Sequence, residues 1–326
     1  MKYQKILITG GAGFIGSHLA EFFLKKKCQV TIVDNLSTGQ WANIQHLENN
    51  ESFSAVISCV TDEKLMDDLV REHDIVYHLA SAVGVKLIME KPIDTINTIF
   101  QTTDTMIKKC SRYRKPFIFT STSEVYGKLD KEMFSEDSDV LLGCAEKHRW
   151  AYAATKAVDE FLILGYHSQT NLPVYITRLF NTVGPRQTGQ YGMVLPNFVE
   201  RALRNETIQV FGNGEQTRCF CSVYDVVRAL AQFPLSPEAI GKVVNIGSQQ
   251  EISIKNLALK VIEKTGSSSQ IELVPYSKVY GAGFDDILKR VPDLTRAQNL
   301  LQWSPEYSLD AIIEQVIEDK KIAKTP

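Results

Sequence analysis

Tyr152 and Lys156 stand four residues apart in Tyr152-Ala153-Ala154-Thr155-Lys156. On a helix that spacing puts a phenol and an ammonium on one face. An ammonium beside a phenol favours the phenolate, so the tyrosine could take a proton near neutral pH. Upstream, Thr120-Ser121-Thr122-Ser123-Glu124-Val125-Tyr126-Gly127 gathers several hydroxyls and one carboxylate. There Thr122 is placed to hydrogen-bond a reacting hydroxyl, and Glu124 to serve as a second acid or base. A third stretch, Thr9-Gly10-Gly11-Ala12-Gly13-Phe14-Ile15-Gly16-Ser17, has the spacing of a pyrophosphate cradle. Gly10 allows the tight turn, Gly13 the approach of backbone to phosphate, and Gly16 the close packing of helix on strand. Each motif alone has a plainer reading: a solvated helix face, a polar turn with a surface Glu, a glycine-rich connection. Their combination reads as chemistry.

The elements that would position these residues follow from periodicity. Ile6-Leu7-Ile8 is a buried strand before the glycines, and Phe14, Ile15, Leu19, Phe22 and Phe23 recur at helical spacing after them. The free amides of that helix would face phosphate. A second strand, Val30-Thr31-Ile32-Val33, ends in Asp34, about 20 residues beyond the glycines, where a carboxylate binds adenosine ribose hydroxyls. Asp34 repels a 2′-phosphate, and Asn35-Leu36-Ser37-Thr38-Gly39 brings no Arg or Lys to welcome one. NAD is therefore expected rather than NADP. Strands at 74–80, 116–120 and 174–180 alternate with helices over Thr95–Arg112 and Trp150–Ser168. This α/β alternation predicts a Rossmann-type, doubly wound parallel sheet with ligands at the carboxyl ends of its strands. After Phe180 glycines and prolines cluster and elements shorten, predicting a smaller C-terminal α/β substrate lobe. The expected division is 1–180 for the dinucleotide and 181–326 for the substrate, with 223–247 rejoining the first part.

Composition narrows the function classes. The 326 residues are 44% hydrophobic and 23% charged, enough for a substantial core, and the net charge of −2 removes the usual argument for nucleic-acid binding. No apolar run reaches membrane-spanning length and no signal peptide precedes the first strand, so a cytoplasmic protein without membrane association is expected. Six scattered cysteines fit a reducing compartment. Cys219 and Cys221 would share one face of a strand, which permits metal binding, but no second pair with zinc spacing exists and buried structural thiols are the expectation. No metal site is expected.

Taken together, Gly10 to Gly16, Asp34-Asn35-Leu36, Ser121 to Gly127, Tyr152-x-x-x-Lys156 and Arg178-Leu179-Phe180-Asn181-Thr182-Val183-Gly184-Pro185-Arg186 resemble the extended short-chain dehydrogenases, the NAD-dependent epimerase/dehydratase family. The resemblance continues through Phe211 to Arg218, Val244 to Gly247, Arg290-Val291-Pro292-Asp293 and Leu301-Gln302-Trp303. It implies a nucleotide-sugar substrate oxidised at C4 by tightly held NAD, with Tyr152 deprotonating the C4 hydroxyl, Thr122 aligning it and Lys156 on the nicotinamide ribose. It also implies a cofactor pocket completed by Phe14, Ile15, Asn35, Ser37, Thr38, Gly39, Leu79, Ala80, Ser81 and Asn97. Asn181 would hold the diphosphate and Arg218 and Arg290 would neutralise it, since arginine suits phosphate oxygens; a surface salt bridge is the plainer reading of either Arg. Val194, Leu195 and Phe198, with Phe211, would line a base pocket for uracil. Lys86 either reaches the sugar or phosphates or is a solvated lysine. Cys59 stands where the family's acid meets adenine, which weakens one cofactor contact. A homodimer is implied, formed by the helices over 95–112 and 150–168, which carry Ile96, Ile99, Phe100, Met106, Phe161, Leu162 and Leu164 on more than one face.

The family's reactions differ at Ser123-Glu124. Sugar 4,6-dehydratases carry Asp-Glu there, and a serine is too weak an acid to protonate a departing hydroxyl. UDP-glucuronate decarboxylases carry the same Thr-Ser-Glu run, and the aminoarabinose-pathway decarboxylase also resembles Arg149-Trp150-x-Tyr152 and Arg290. Simple 4-epimerases commonly lack the Glu. Return of hydride to C6 of a 5,6-ene, as in a pseudaminic-acid-type pathway, needs Glu124 and no second acid. The expectation is a UDP-sugar enzyme working through a 4-keto sugar and acting at C5/C6 with Glu124; decarboxylation and 4-epimerisation are the alternatives. A non-catalytic NAD-binding regulator would be expected to have lost Tyr152, Lys156 or Thr122, and all three are present.

Overall fold

The computed structural model describes residues 3–81, 85–189, 193–280, 287 and 289–322, the side chains of 85–87 and 280 excepted. Its strands β1 (Lys5–Thr9), β2 (Gln29–Asp34), β3 (Phe53–Ile57), β4 (Ile75–His78), β5 (Phe117–Thr122), β6 (Val174–Leu179) and β7 (Lys242–Ile246) form one sheet. The order is β7-β6-β5-β4-β1-β2-β3, and every neighbouring pair is parallel. Parallel strands carry helices on both faces, so they read as continuous apolar runs rather than alternating ones. All four residues of β4 are buried, as are four of the five in β1.

Helices α1 (Phe14–Lys25), α2 (Glu63–Glu72), α3 (Pro92–Tyr113), α4 (Ala151–Thr170) and α5 (Val223–Gln232) flank the sheet. Their ends follow local chemistry. Asp62 caps α2 by accepting from the Leu65 amide, and Pro92 opens α3 where no amide partner is needed. Helices α3 and α4 stop on left-handed Arg114 (φ 52°) and Asn171 (φ 54°). Strand pleating divides the core: Ile6, Ile8, Ile32 and Tyr77 pack with α1 and α5 on one face, while Leu7, Val33, Phe117 and Ile176 pack with Met106 of α3 and Ile163 of α4 on the other.

A separate apolar cluster gathers Val183, Leu195, Phe198, Ile208, Leu257, Val261 and Ile312. Short strand pairs frame it: Ile208–Phe211 with Ile271–Val274, and Thr217–Cys219 with Glu251–Ser253. The chain leaves this cluster twice. β7 pairs with β6, and later Leu294, Ala297, Leu301 and Trp303 pack on the core around α5. Cys219 and Cys221 do not share one strand, because the ladder breaks at Phe220; both are buried, and burial pushes both thiols up. Among the described residues no group of His, Cys, Asp and Glu could hold a metal ion, and no helix is long and apolar enough to cross a membrane.

A buried polar joint ties α4 to the sheet. Glu160 accepts from Arg178 of β6 at 2.7 Å and 3.0 Å and from Ser121 of β5 at 2.5 Å. The Arg178 guanidinium lies 4.7 Å from the Tyr126 ring centre, and the Tyr126 hydroxyl donates to Asn245 of β7 at 2.8 Å. Removing one partner of a buried pair leaves an uncompensated charge. Glu160→Gln is therefore expected to cost about 3–5 kcal/mol, read from urea unfolding. A loss below about 1 kcal/mol would show that the joint does not hold α4 in place.

Candidate active site

A cleft of ≈ 1660 Å³ runs along the carboxyl ends of β1, β2, β4, β5 and β6 and opens toward the second cluster. This is where sheet order reverses, between β1 and β4, and where doubly wound sheets hold ligands. The backbone at its floor is too close for side chains. A Cβ on Gly10 (φ +70°) would stand 2.7 Å from the Ala80 nitrogen, and one on Gly16 would stand 2.2 Å from the Gly10 oxygen. Gly13 precedes helix α1 as its N-cap and offers no side-chain cap, leaving the first helical amides to a ligand.

Of the residues expected at the cofactor, Gly10, Gly13, Phe14, Ile15, Gly16, Asp34, Asn35, Ser37, Thr38, Leu79, Ala80 and Ser81 line the cleft. Gly39 lies just behind, where a Cβ would meet the Asp34 carboxylate at 2.8 Å. Asp34 accepts from the Ala12 amide at 3.0 Å and the Leu36 amide at 2.8 Å, so the same carboxylate also fixes the glycine loop. Burial pushes its pKa up against these bonds. Cys59 lines the cleft, with its sulfur 3.0 Å from the Thr61 hydroxyl. Asn97 does not face the cleft: helical phase turns it to solvent, and Thr95, Thr98 and Thr102 take the inward positions. The side chain of Lys86 is among those the structure does not describe.

Thr122, Ser123, Glu124, Tyr152 and Lys156 converge. Thr122 ends β5 and caps the following turn, its hydroxyl oxygen accepting from the Glu124 amide at 3.2 Å. Tyr152 and Lys156 both line the cleft from α4, and no hydrogen bond joins the ammonium to the phenol. Lys156 donates to the Thr120 carbonyl at 2.9 Å and lies 4.3 Å from the Phe119 ring centre. Burial and then the Glu124 charge push the Tyr152 pKa above its ordinary value, and only a bond to Thr122 and the Arg149 charge pull it down. The sequence expectation of a lysine-lowered phenol is thus not met by this geometry, because the lysine's charge is directed to a backbone carbonyl. Burial brings the Lys156 pKa down to about 8, opposed by Asp159 and Glu160.

The strongest electrostatic feature is at Glu124. Arg149 donates to one carboxylate oxygen at 2.6 Å and Arg290 approaches the other at 3.4 Å. Burial raises the Glu124 pKa, but Arg149, Arg290 and more distant Arg218 outweigh it and hold the group at about 2. Arg290, expected at a diphosphate, is here a partner of Glu124. Arg149 is the principal site residue missing from the expected set; its signal was its place three residues before Tyr152. Arg218 donates to the Thr217 carbonyl at 2.8 Å, and Asn181 (φ 28°) donates to the Cys219 carbonyl at 3.0 Å. Both line the cleft, as do Val194, Leu195, Phe198 and Phe211 at its apolar end.

A family model described as GDP-mannose 4,6 dehydratase matches residues 7–316. The chain belongs to this NAD-dependent epimerase/dehydratase family. It is an NAD-dependent enzyme of that family, and the glycine cradle above fits a dinucleotide. The chain is 43% identical over 316 residues, covering 97% of both chains, to a UDP-N-acetyl-alpha-D-glucosaminuronate decarboxylase of Bacillus cytotoxicus. It is 34% identical to UDP-glucuronic acid decarboxylase 4 of Arabidopsis thaliana, over 98% of this chain and 69% of the relative. Among solved structures, the UDP-glucuronic acid 4-epimerase of Bacillus cereus in complex with UDP-glucuronic acid and NAD superposes with a TM-score of 0.89, at 29% identity, over 98% of this chain and all of the other.

In this family member Asp34 is the one acidic side chain at the end of β2. Asp34→Asn keeps an acceptor for the loop amides and removes the charge that opposes a 2′-phosphate. The preference for NAD over NADP is expected to fall at least about tenfold, or about 1.4 kcal/mol, measured as equilibrium binding to cofactor-stripped protein. An unchanged ratio would detach Asp34 from the ribose.

Proposed function

We propose that this enzyme decarboxylates a UDP-linked hexuronic acid through a transient 4-keto sugar. The observation that carries the reading is the clamp on Glu124, where two buried arginines face one carboxylate. Both arginines line the end of the cleft shared with Tyr152 and Thr122. Guanidinium groups there suit an anionic sugar substituent. The names of the relatives agree on uronic acids, and the 43% identical one makes UDP-N-acetylglucosaminuronate the first substrate to test.

Bound NAD supplies a reversible hydride acceptor. Tyr152 takes the C4 hydroxyl proton, and Thr122 orients that hydroxyl. A ketone at C4 makes the C6 carboxylate a β-keto acid. The C5–C6 bond then breaks, carbon dioxide leaves, and the electron pair passes into the C4 carbonyl. A proton is added at C5 before C4 is reduced again. Arg149 and Arg290 hold the C6 carboxylate for that cleavage, and Lys156 holds the floor of the site through Thr120. Glu124 orients the arginines. A carboxyl held near 2 is a poor proton donor, which counts against delivery of a proton to C5 by Glu124 and so against reduction of a 5,6-ene. We place NAD on residues 1–180 and the uridine diphosphate on 181–326, with uracil against Val194, Leu195, Phe198 and Phe211 and the diphosphate near Asn181 and Arg218. Epimerisation at C4 of the same uronate is the second reading, favoured by the likeness to the Bacillus cereus epimerase.

Incubation with UDP-glucuronate and UDP-N-acetylglucosaminuronate, followed by mass spectrometry and carbon dioxide release, separates the two. The expected product has lost its carboxyl group. A product of unchanged mass with inverted C4 would make the enzyme an epimerase, and no turnover of either would overturn the uronate reading. Tyr152→Phe should slow turnover at least about a hundredfold while leaving cofactor and UDP binding nearly intact.

We further infer a homodimer. Ile99 and Met106 are buried within the chain, but Ile93 (72% exposed) and Phe161 (75% exposed), with Ile96, Phe100 and Val158, leave an apolar face across α3 and α4. Helices of this kind bury that face against a partner. Light scattering should give a dimer mass at micromolar concentration and a monomer for Phe161→Glu. A monomeric unmodified protein would remove the inference.

A further inference from the structure

Asp159 lies one turn beyond Lys156 on α4 and is wholly buried. One of its oxygens accepts from the Thr103 hydroxyl at 2.8 Å; the other has no hydrogen-bond partner. A buried carboxylate in that condition is costly unless it compensates a nearby charge. The groups around it identify that charge. On its own helix are Lys156, Glu160 and Tyr152; on α3 are Thr103 and Asp104; on β4 is His78. Glu160 is already neutralised by Arg178, at 2.7 Å and 3.0 Å. Burial and the Lys156 charge bring the His78 pKa down to about 3, so the imidazole is neutral. Asp104 pairs with Lys108 at 2.5 Å. Lys156, one turn away on the same helix, is the cation that remains.

The carboxylate also terminates a chain of hydrogen bonds from the cleft floor. The Ala80 amide donates to the Thr9 hydroxyl oxygen at 3.3 Å, and that hydroxyl meets His78 Nδ1 at 2.7 Å. His78 Nε2 meets the Thr103 hydroxyl oxygen at 3.4 Å, and Thr103 reaches Asp159. One arrangement uses every hydrogen: Thr9 donates to Nδ1, Nε2–H donates to Thr103, and Thr103 donates to Asp159 rather than to the Ile99 carbonyl 3.0 Å away. A neutral imidazole allows it, and an ionised Asp159 requires it.

We propose that Asp159 is a positioning residue for Lys156, a buried counter-ion one helical turn away that keeps the lysine charged, with Thr103, His78 and Thr9 tying the carboxylate to the backbone that floors the dinucleotide site. The inference rests on reading Lys156 as part of the catalytic machinery, though not on which UDP-sugar is turned over. The two pKa values lie close enough to matter: burial lowers Lys156 to about 8 and raises Asp159 to about 6. Above about 6 Asp159 is ionised and supports the ammonium; without it, only Glu160 opposes desolvation and the Lys156 pKa falls further.

The test is a titration of Lys156 by NMR in the cofactor-free protein labelled with ¹³C-lysine, the resonance being assigned by its absence in Lys156→Met. Asp159→Asn should lower the Lys156 midpoint by about one unit, a tenfold change in proton affinity, and Asp159→Glu should restore most of it. The alkaline limb of kcat/KM, on whichever UDP-sugar is a substrate, should move down in pH with KM little changed. Thr103→Val keeps the carboxylate but removes its hydrogen bond, so Asp159 ionises less readily and Lys156 should shift in the same direction by less. It serves if Asp159→Asn does not fold. A Lys156 midpoint within about 0.3 units of the parent in folded Asp159→Asn or, failing that, in Thr103→Val, would overturn the proposal. If no UDP-sugar is turned over but the lysine shifts as expected, the substrate reading fails and this one stands.

Discussion

Helix α4 depends on one buried ion pair. Glu160 meets Arg178 of β6 and Ser121 of β5 in a region from which water is excluded, so neither charge has another way to be satisfied. The pair fixes the rotation of α4 about its own axis. That rotation decides where Tyr152 and Lys156 point, because both lie on the face one or two turns upstream. Tyr126, stacked on the Arg178 guanidinium and bonded to Asn245, carries the same constraint to β7. A strand from the far end of the chain thereby helps to hold the catalytic helix.

Charge in the cleft is arranged in layers. At one end Arg149 and Arg290 face Glu124 and keep it ionised. Beneath, Lys156 stands one turn from the buried Asp159, and farther in Arg178 faces Glu160. Buried charges need partners at each level. The resting phenol is held above its ordinary pKa, which suits a residue that should stay protonated until a ligand changes the local field.

The second cluster closes the cleft without forming an independent sheet. Its strand pairs are short, and the chain passes from it to β7 and then to the segment carrying Leu294 and Trp303. Asn181 and Arg218 each spend a donor on neighbouring backbone carbonyls, so the wall that carries them is itself hydrogen-bonded together. Arg290 reaches Glu124 from beyond these crossings, which makes the sugar end of the cleft a composite of residues 166 positions apart in the chain.

The sequence alone determined what depends on neighbours in the chain. The glycine spacing, Asp34 at the end of the second strand, and the Tyr152/Lys156 repeat are local features with local causes, and with the strand–helix alternation they point to the parallel sheet and to residues that line one cleft. Helix phase was less legible: Asn97 was expected inward and faces solvent, because only packing against the sheet decides which side of α3 is buried. Charge partners were least legible. Nothing in the sequence says that Lys156 turns to the Thr120 carbonyl instead of the phenol, that Arg290 meets Glu124, or that Arg149 completes the clamp. Those pairings arise from strands and turns distant in sequence, and electrostatic energy depends on separation and burial, which only the tertiary structure sets.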